Sequence, residues 1–167
     1  RRNLFASSSC GVCGKATIEN ALAPAPPLSD DARFPAAFFA GLPEALRDRQ
    51  SVFDRTGGLH AAALIAPDGE LLVVREDVGR HNAVDKVVGW ALREGRLPRT
   101  GHALLVSGRV SYESVQKALA ARLPAVAAVS APTSLAVELA EASGLALVAF
   151  LRGERFGVYG RRDRVVG

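Results

Sequence analysis

The sequence predicts an α/β fold, a three-layer α/β/α sandwich around a mixed sheet, and three observations carry that expectation. Short apolar runs alternate with amphipathic stretches of helical period from residue 61 onward. Two of the runs flank Pro67-Asp68-Gly69, turn chemistry that implies an antiparallel hairpin. The remaining runs are separated by helix-length segments, which implies parallel pairing with helices on both faces.

The elements follow in order. Residues 34–40 and 43–53 read as two short helices, the second with Pro43 at its first position and Glu44 in its first turn. Residues 61–66 and 70–75 form the hairpin. Over residues 82–93, Ala83, Val84, Val87, Val88, Ala91 and Leu92 recur at helical spacing, and Gly95 supplies a stop. Residues 102–107 are an apolar strand, and 112–122 a helix with Val115, Ala118 and Leu119 on one side. A buried strand is expected at 124–129. A helix follows at 133–143, capped by Ser or Thr and closed by Gly144. Residues 145–151 are a strand, with a short edge at 155–159. In this scheme residues 1–31 are a flexible Cys-x-x-Cys segment and proline-rich linker (Pro24, Pro26, Pro27), and residues 32–167 are the folded domain.

Composition narrows the function. The chain has 167 residues, 49% of them hydrophobic, enough for one core. No apolar run approaches a membrane span, and Leu4-Phe5-Ala6 is too short for a signal-peptide core. The chain starts with Arg1 and has no methionine, which reads as a processed protein or a fragment. Two cysteines do not make a disulfide framework, so a cytoplasmic location is expected. A net charge of +4 favours anionic ligands, but no dense basic run with interleaved aromatics points to nucleic acid.

The chemistry centres on Cys10-Gly-Val-Cys13, the only cysteines. Small neighbours leave the thiols reachable, and Lys15 favours the thiolate. Three readings compete. Zinc would need two of His60, His81 and His102 as further ligands. A thioredoxin-like pair belongs between a strand and a helix, unlike this Ser/Gly-rich setting. A sulfur relay needs an exposed thiolate on a loop. Elsewhere, strand-to-helix turns at residues 75–82, 107–113 and 130–134 gather at the carboxyl ends of parallel strands, where ligands bind. Helix N-termini there, with Arg80, Arg109, Arg152 and Arg155, suit a phosphorylated ligand. Each part also has a bland reading. Ser130–Ser134 is an ordinary cap with Pro in its first turn, Gly108 a tight turn, Glu76 and Asp77 a solvated strand end, His81 a polar helix start, and Arg152 and Arg155 surface charges.

The chain resembles the formate dehydrogenase accessory sulfurtransferase family, the FdhD sulfur carrier proteins. The resemblance runs through residues 3–15, 53–63 (Phe53-Asp-Arg-Thr-Gly-Gly-Leu-His60), 75–86 (Arg75-Glu-Asp-Val-Gly-Arg-His81), 107–113 and 129–140. It implies that sulfur passes from a cysteine desulfurase, as a cysteine persulfide, to the bis(molybdopterin guanine dinucleotide) molybdenum cofactor of formate dehydrogenase. Cys10 matches the persulfide-bearing cysteine and Cys13 its partner. Phe150, Leu151, Arg152, Gly153, Glu154 and Arg155 match the cofactor-binding stretch. His81, Arg109, Ser130 and Thr133 are placed in the same pocket by analogy of position. GDP or GMP is the expected mimic, no resident zinc is expected, and a homodimer is. The family's fold is related to cytidine deaminases. In those enzymes a His-x-Glu helix start faces a Pro-Cys-x-x-Cys turn. Here His81-Asn-Ala and Ser107-Gly-Arg-Val-Ser-Tyr-Glu113 stand at those places, without the acid/base glutamate or the thiolates, so deamination is not expected.

Overall fold

The computed structural model describes residues 26–97 and 99–167. Cys10 and Cys13 lie outside them. A six-stranded mixed sheet has the order β3-β2-β4-β5-β6-β7. Its strands are β2 (His60–Ile65), β3 (Leu71–Asp77), β4 (Ala103–Val106), β5 (Ala125–Ala128), β6 (Ala146–Arg152) and β7 (Arg155–Gly160). β4, β5 and β6 are parallel, while the β2–β3 hairpin and β7 run antiparallel to their neighbours. A separate two-stranded piece pairs β1 (Phe34–Pro35) with β8 (Val165–Val166).

The long helices are α3 (Arg80–Arg93), α4 (Tyr112–Ala120) and α5 (Ser134–Ser143). All three pack on one face of the sheet, where helices on both faces had been expected of the long crossovers. The cause is topological. The crossovers β3–α3–β4, β4–α4–β5 and β5–α5–β6 all step the same way across the sheet, and right-handed connections then place every helix on the same side. The third layer is supplied by the 3-10 turn Ala36–Phe39 and the short helices α1 (Leu42–Arg47) and α2 (Ser51–Thr56).

Strand alternation sorts the core into two halves. Ala62, Leu64, Leu104, Val106, Val126, Ala128 and Leu147 meet α3–α5. Their neighbours Ala61, Ala63, Ala103, Ala125, Ala127 and Ala146 face the other way. So many alanines leave a shallow sheet surface, and Phe34, Phe38, Phe39 and Phe156 fill it with ring centroids 5.0–5.9 Å apart. The expected helix at 43–53 is instead two. Asp48 and Arg49 break the run, and the Glu76 carboxylate of β3 accepts from the Val52 and Phe53 amides at 3.0 and 2.8 Å, starting α2 afresh. Glu76 is therefore a helix cap supplied from a distant strand.

Residues 26–33 run as a strap along the amino ends of the parallel strands. Arg122 donates to the Pro26 and Pro27 carbonyls, and the Leu28 amide donates to Ser143 O at 2.9 Å. Buried Arg164 holds the strap through Asp30 and Ala32 while also donating to Gly144 O. No helix among the described residues is long and apolar enough to cross a membrane.

Candidate functional site

The three turns singled out in the sequence lie on one rim, at the carboxyl ends of β3, β4 and β5. Hydrogen bonds stitch them into a continuous ledge. His81, in the first turn of α3, meets the Ser111 hydroxyl at 2.8 Å. Val110 pairs with Pro132 in a parallel bridge: its amide donates to Ala131 O at 3.1 Å, and the Thr133 amide donates to Val110 O at 2.9 Å. The Phe150 amide donates to Ser130 O at 3.2 Å. The ledge thus joins four loops, and His81, Arg109, Ser130, Thr133 and Phe150 all belong to it.

The β6–β7 hairpin projects at its end. The ladder shifts register between Ala149 and Arg152, and Phe150 adopts φ 58°, left-handed backbone that a bulky residue rarely takes. Such strain costs on the order of 1–3 kcal/mol and concentrates at functional positions. Phe150 is also exposed, an uncommon state for a large aromatic. Leu151 is buried in the aromatic half of the core and anchors the hairpin, while Arg152 pairs with Arg155 across the Gly153-Glu154 turn, where Gly153 has φ 59°. Arg109, Arg152 and Arg155 are exposed, and their side chains form no ion pair or hydrogen bond with the described residues. Three unengaged guanidinium groups on one rim suit oxyanions such as phosphate.

Two expected ledge residues have structural tasks. Thr133 caps α5, its hydroxyl accepting from the Ala136 amide at 3.2 Å. His81 lies in a polar relay: Nδ1 meets Glu113 Oε2 at 2.9 Å, and Nε2 meets Ser111 Oγ. Ser111 caps α4 and is buried. Burial pushes the His81 pKa below its usual value, Glu113 opposes that, and Arg80 and Lys117 add to it. A neutral ring then carries its proton on Nδ1 toward Glu113 and accepts from Ser111 at Nε2. The turn at 107–113 therefore does face the His81 helix start. Glu113 and Ser111 lie in the 107–113 turn, but neither carries ligand-like spacing, so the sequence alone does not single them out.

The histidines of the zinc reading are divided. His60 opens β2 on the carboxyl rim, near His81's edge of the sheet, whereas His102 precedes β4 on the opposite rim and is held by Arg99 and Thr100 O. Among the described residues no three metal-ligating side chains cluster.

A cavity of about 740 Å³ opens beside the ledge, between the α1–α2 layer and the carboxyl ends of β4 and β5. Gln50, Phe53, Gly57, Gly58, His60, Ser107 and Val129 are among its walls. Sequence reasoning missed it, since α1 and α2 are too far in sequence from the strand ends they face.

Comparison with known proteins agrees with this architecture. The FdhD/NarQ family model matches residues 1–166. The chain is 57% identical over 166 residues to the sulfur carrier protein FdhD of Mycolicibacterium paratuberculosis, covering 98% of this chain and 61% of that protein. The corresponding protein of Streptomyces coelicolor is 56% identical over 167 residues, covering 98% and 59%. The chain thus spans about three fifths of the length of the curated relatives it matches. A crystal structure from Desulfotalea psychrophila, described as a formate dehydrogenase accessory protein, superposes with a TM-score of 0.77 at 32% identity, covering 89% of this chain and 62% of that one.

Proposed function

Because the chain belongs to the FdhD/NarQ family, we propose that it is the sulfur-carrying and cofactor-holding part of a protein that matures formate dehydrogenase. Its chief support is the identity to proteins named sulfur carrier across a match that includes both cysteines. The Cys10 thiolate attacks the outer sulfur of a cysteine desulfurase's persulfide. A new S–S bond forms on Cys10, and the desulfurase thiolate leaves. Cys13 thiolate then attacks Cys10 Sγ, forming the Cys10–Cys13 disulfide and expelling hydrosulfide toward molybdenum. A cellular dithiol reduces the disulfide for the next round.

The molybdenum guanine dinucleotide is cargo in this scheme. Arg109, Arg152 and Arg155 hold its phosphates, with Phe150 and Glu154 at the hairpin tip and Ser130 beside it. The unengaged guanidinium groups on the rim support that assignment. His81 keeps the ledge in register through Ser111 and Glu113. A homodimer in a cytoplasmic setting completes the proposal.

The test is intact-mass analysis after incubation with a desulfurase and cysteine. Wild-type protein is expected to gain the mass of one sulfur, and Cys10→Ala is expected to gain none at that site. A gain that persists unchanged in Cys10→Ala would reject Cys10 as the carrier.

A further inference from the structure

We infer that the groove between helix α3 and the free edge of β3 is a docking surface for an acidic, apolar-faced helix of the sulfur donor. This rests on the sulfur-transfer reading above and adds to it the place where the donor binds.

The groove encloses about 610 Å³ and shares no wall residue with the cavity under α2. Gly89 is part of its wall and sits in the interior of α3, where glycine weakens a helix. Nothing among the described residues requires glycine there, since a Cβ would meet no atom within 4 Å. A helix that gives up a side chain facing open space gains only if something outside the chain approaches its backbone. Leu92, on the same wall, is 66% exposed. The half-buried Trp90 adds an aromatic surface, with the Arg96 guanidinium 5.5 Å from its ring centroid. Small and apolar residues together make a seat for a helix.

Charge selects the kind of helix. Lys86 is paired with Asp77 at 2.7 Å, and the Glu76 carboxylate is taken by the Val52 and Phe53 amides. The Arg75 side chain donates only to Val74 O in its own strand, and the Arg93 side chain has no hydrogen bond or ion pair with the described residues. Two uncommitted guanidinium groups beside apolar surface suit carboxylates flanking an apolar face.

Other occupants fit less well. β3 ends the sheet, so strand addition must be weighed. Val74 O and Glu76 O, two residues apart and so aimed the same way, accept from Arg75 and Lys86 at 2.9 Å each. Those side chains close the edge to a further strand. A second copy in an isologous pairing would set the same cations against one another. Residues 1–25 carry Arg1, Arg2 and Lys15 against Glu19 alone, so they too are repelled.

Position favours the sulfur donor. α3 runs from the ledge rim to the amino rim, so Trp90, Leu92 and Arg93 lie toward the latter. Beyond α3 the Arg99 amide donates to Ala121 O, and the next residue, Arg122, holds the Pro26 and Pro27 carbonyls. A protein seated in the groove therefore lies on the rim where the strap that follows the cysteines is fastened, away from the cargo.

The test titrates the full 167-residue chain with a purified cysteine desulfurase, reading affinity by calorimetry and sulfur gain by intact mass. Gly89→Leu, which fills the groove with a better helix former, is expected to weaken donor affinity at least about tenfold without lowering the melting temperature. Arg75→Glu/Arg93→Glu is expected to weaken it as much and to remove most of its salt dependence. In both, sulfur gain should regain the wild-type rate at saturating donor, with KM raised and kcat unchanged. Should Gly89→Leu melt lower than wild type, the Arg75→Glu/Arg93→Glu pair decides alone. Wild-type donor affinity in a variant that folds overturns the docking surface and leaves Cys10 standing as carrier. Weakening seen only toward formate dehydrogenase does the same. Wild-type protein that gains no sulfur from the desulfurase overturns the sulfur-transfer reading itself.

Discussion

Arg164 should be the most consequential charged side chain in the domain. It is 1% exposed and makes four hydrogen bonds: to Gly144 O at 2.8 Å, and to Asp30 Oδ1, Asp30 O and Ala32 O at 2.9 Å each. Arg164→Met keeps apolar bulk but takes the buried counter-ion from the Asp30 carboxylate, which retains only the Ala32 amide, and a donor from three carbonyls. Removing one partner of a buried ion pair typically costs ~3–5 kcal/mol. Asp30 retains 17% side-chain exposure, so water offsets part of the loss and the lower end, about 3 kcal/mol, is expected. At roughly 2–4 °C per kcal/mol for a domain of this size, the melting temperature should fall by about 6–12 °C. Equilibrium denaturation would give the free energy. Native-state hydrogen exchange would show the Leu28 amide, which donates to Ser143 O, losing protection beyond the global change. A loss below about 1 kcal/mol would refute the view that this guanidinium fastens the strap.

Gly160 has φ 69°, and a Cβ there would lie 2.3 Å from Leu145 O, so Gly160→Ala should cost about 2 kcal/mol or more; an unchanged thermal transition would contradict the backbone geometry. Asp77 is held at a pKa of about 2 by Lys86, the Gly79 amide and Asn82. Its stabilisation is complete above the ordinary value of 3.8 and fades as pH falls toward 2, so Asp77→Asn should flatten stability against pH in that window. Burial holds His81 below 6.5; the stability gained by keeping it neutral is complete above that value and is lost as pH falls through the lower folded pKa. An NMR titration of the His81 ring with its midpoint above 6.5 would contradict the relay.

Much of this was legible in the sequence because local signals and the final fold agree. Residues 82–93 carry an apolar stripe that survives as α3, and Ser111, Thr133 and Gly144 cap helices as their types suggest. The ledge was legible for a similar reason: strand-to-helix turns must meet where parallel strands end. What escaped depends on contacts distant in sequence. Residues 34–40 read as a helix, but Phe34 pairs with Val165 at the far end of the chain. Residues 43–53 contain no Gly and only one Pro, at the first helical position, so nothing local marks the break that Glu76 exploits. Gln50 looks like an ordinary surface glutamine until α2 folds over the strand ends and buries it.

On the sulfur-transfer proposal, the thiols must serve a site on the rim opposite the one where the described chain is fastened. The strap fastens at the amino rim, where Arg122 holds Pro26 and Pro27, whereas the arginine ledge occupies the carboxyl rim. The rims are separated by the length of the parallel strands; the longest, β6, has 7 residues, or about 23 Å at 3.3 Å per residue. Cys10 precedes Pro26 by 16 residues, a contour of at most about 55 Å, and Cys13 precedes it by 13, at most about 45 Å. That contour exceeds the rim-to-rim separation about twofold, so the proposed delivery at the ledge is compatible with attachment at the amino rim. An arm rooted at the ledge itself would keep its thiol beside the cargo at all times. On the sulfur-transfer proposal, attachment at the far rim would let Cys10 meet a sulfur donor away from the cargo and still reach the ledge. The sulfur-transfer proposal then expects Arg122, Asp30 and Arg164 to support transfer without touching either reactant, because they fasten residues 26–32 at the rim opposite the ledge.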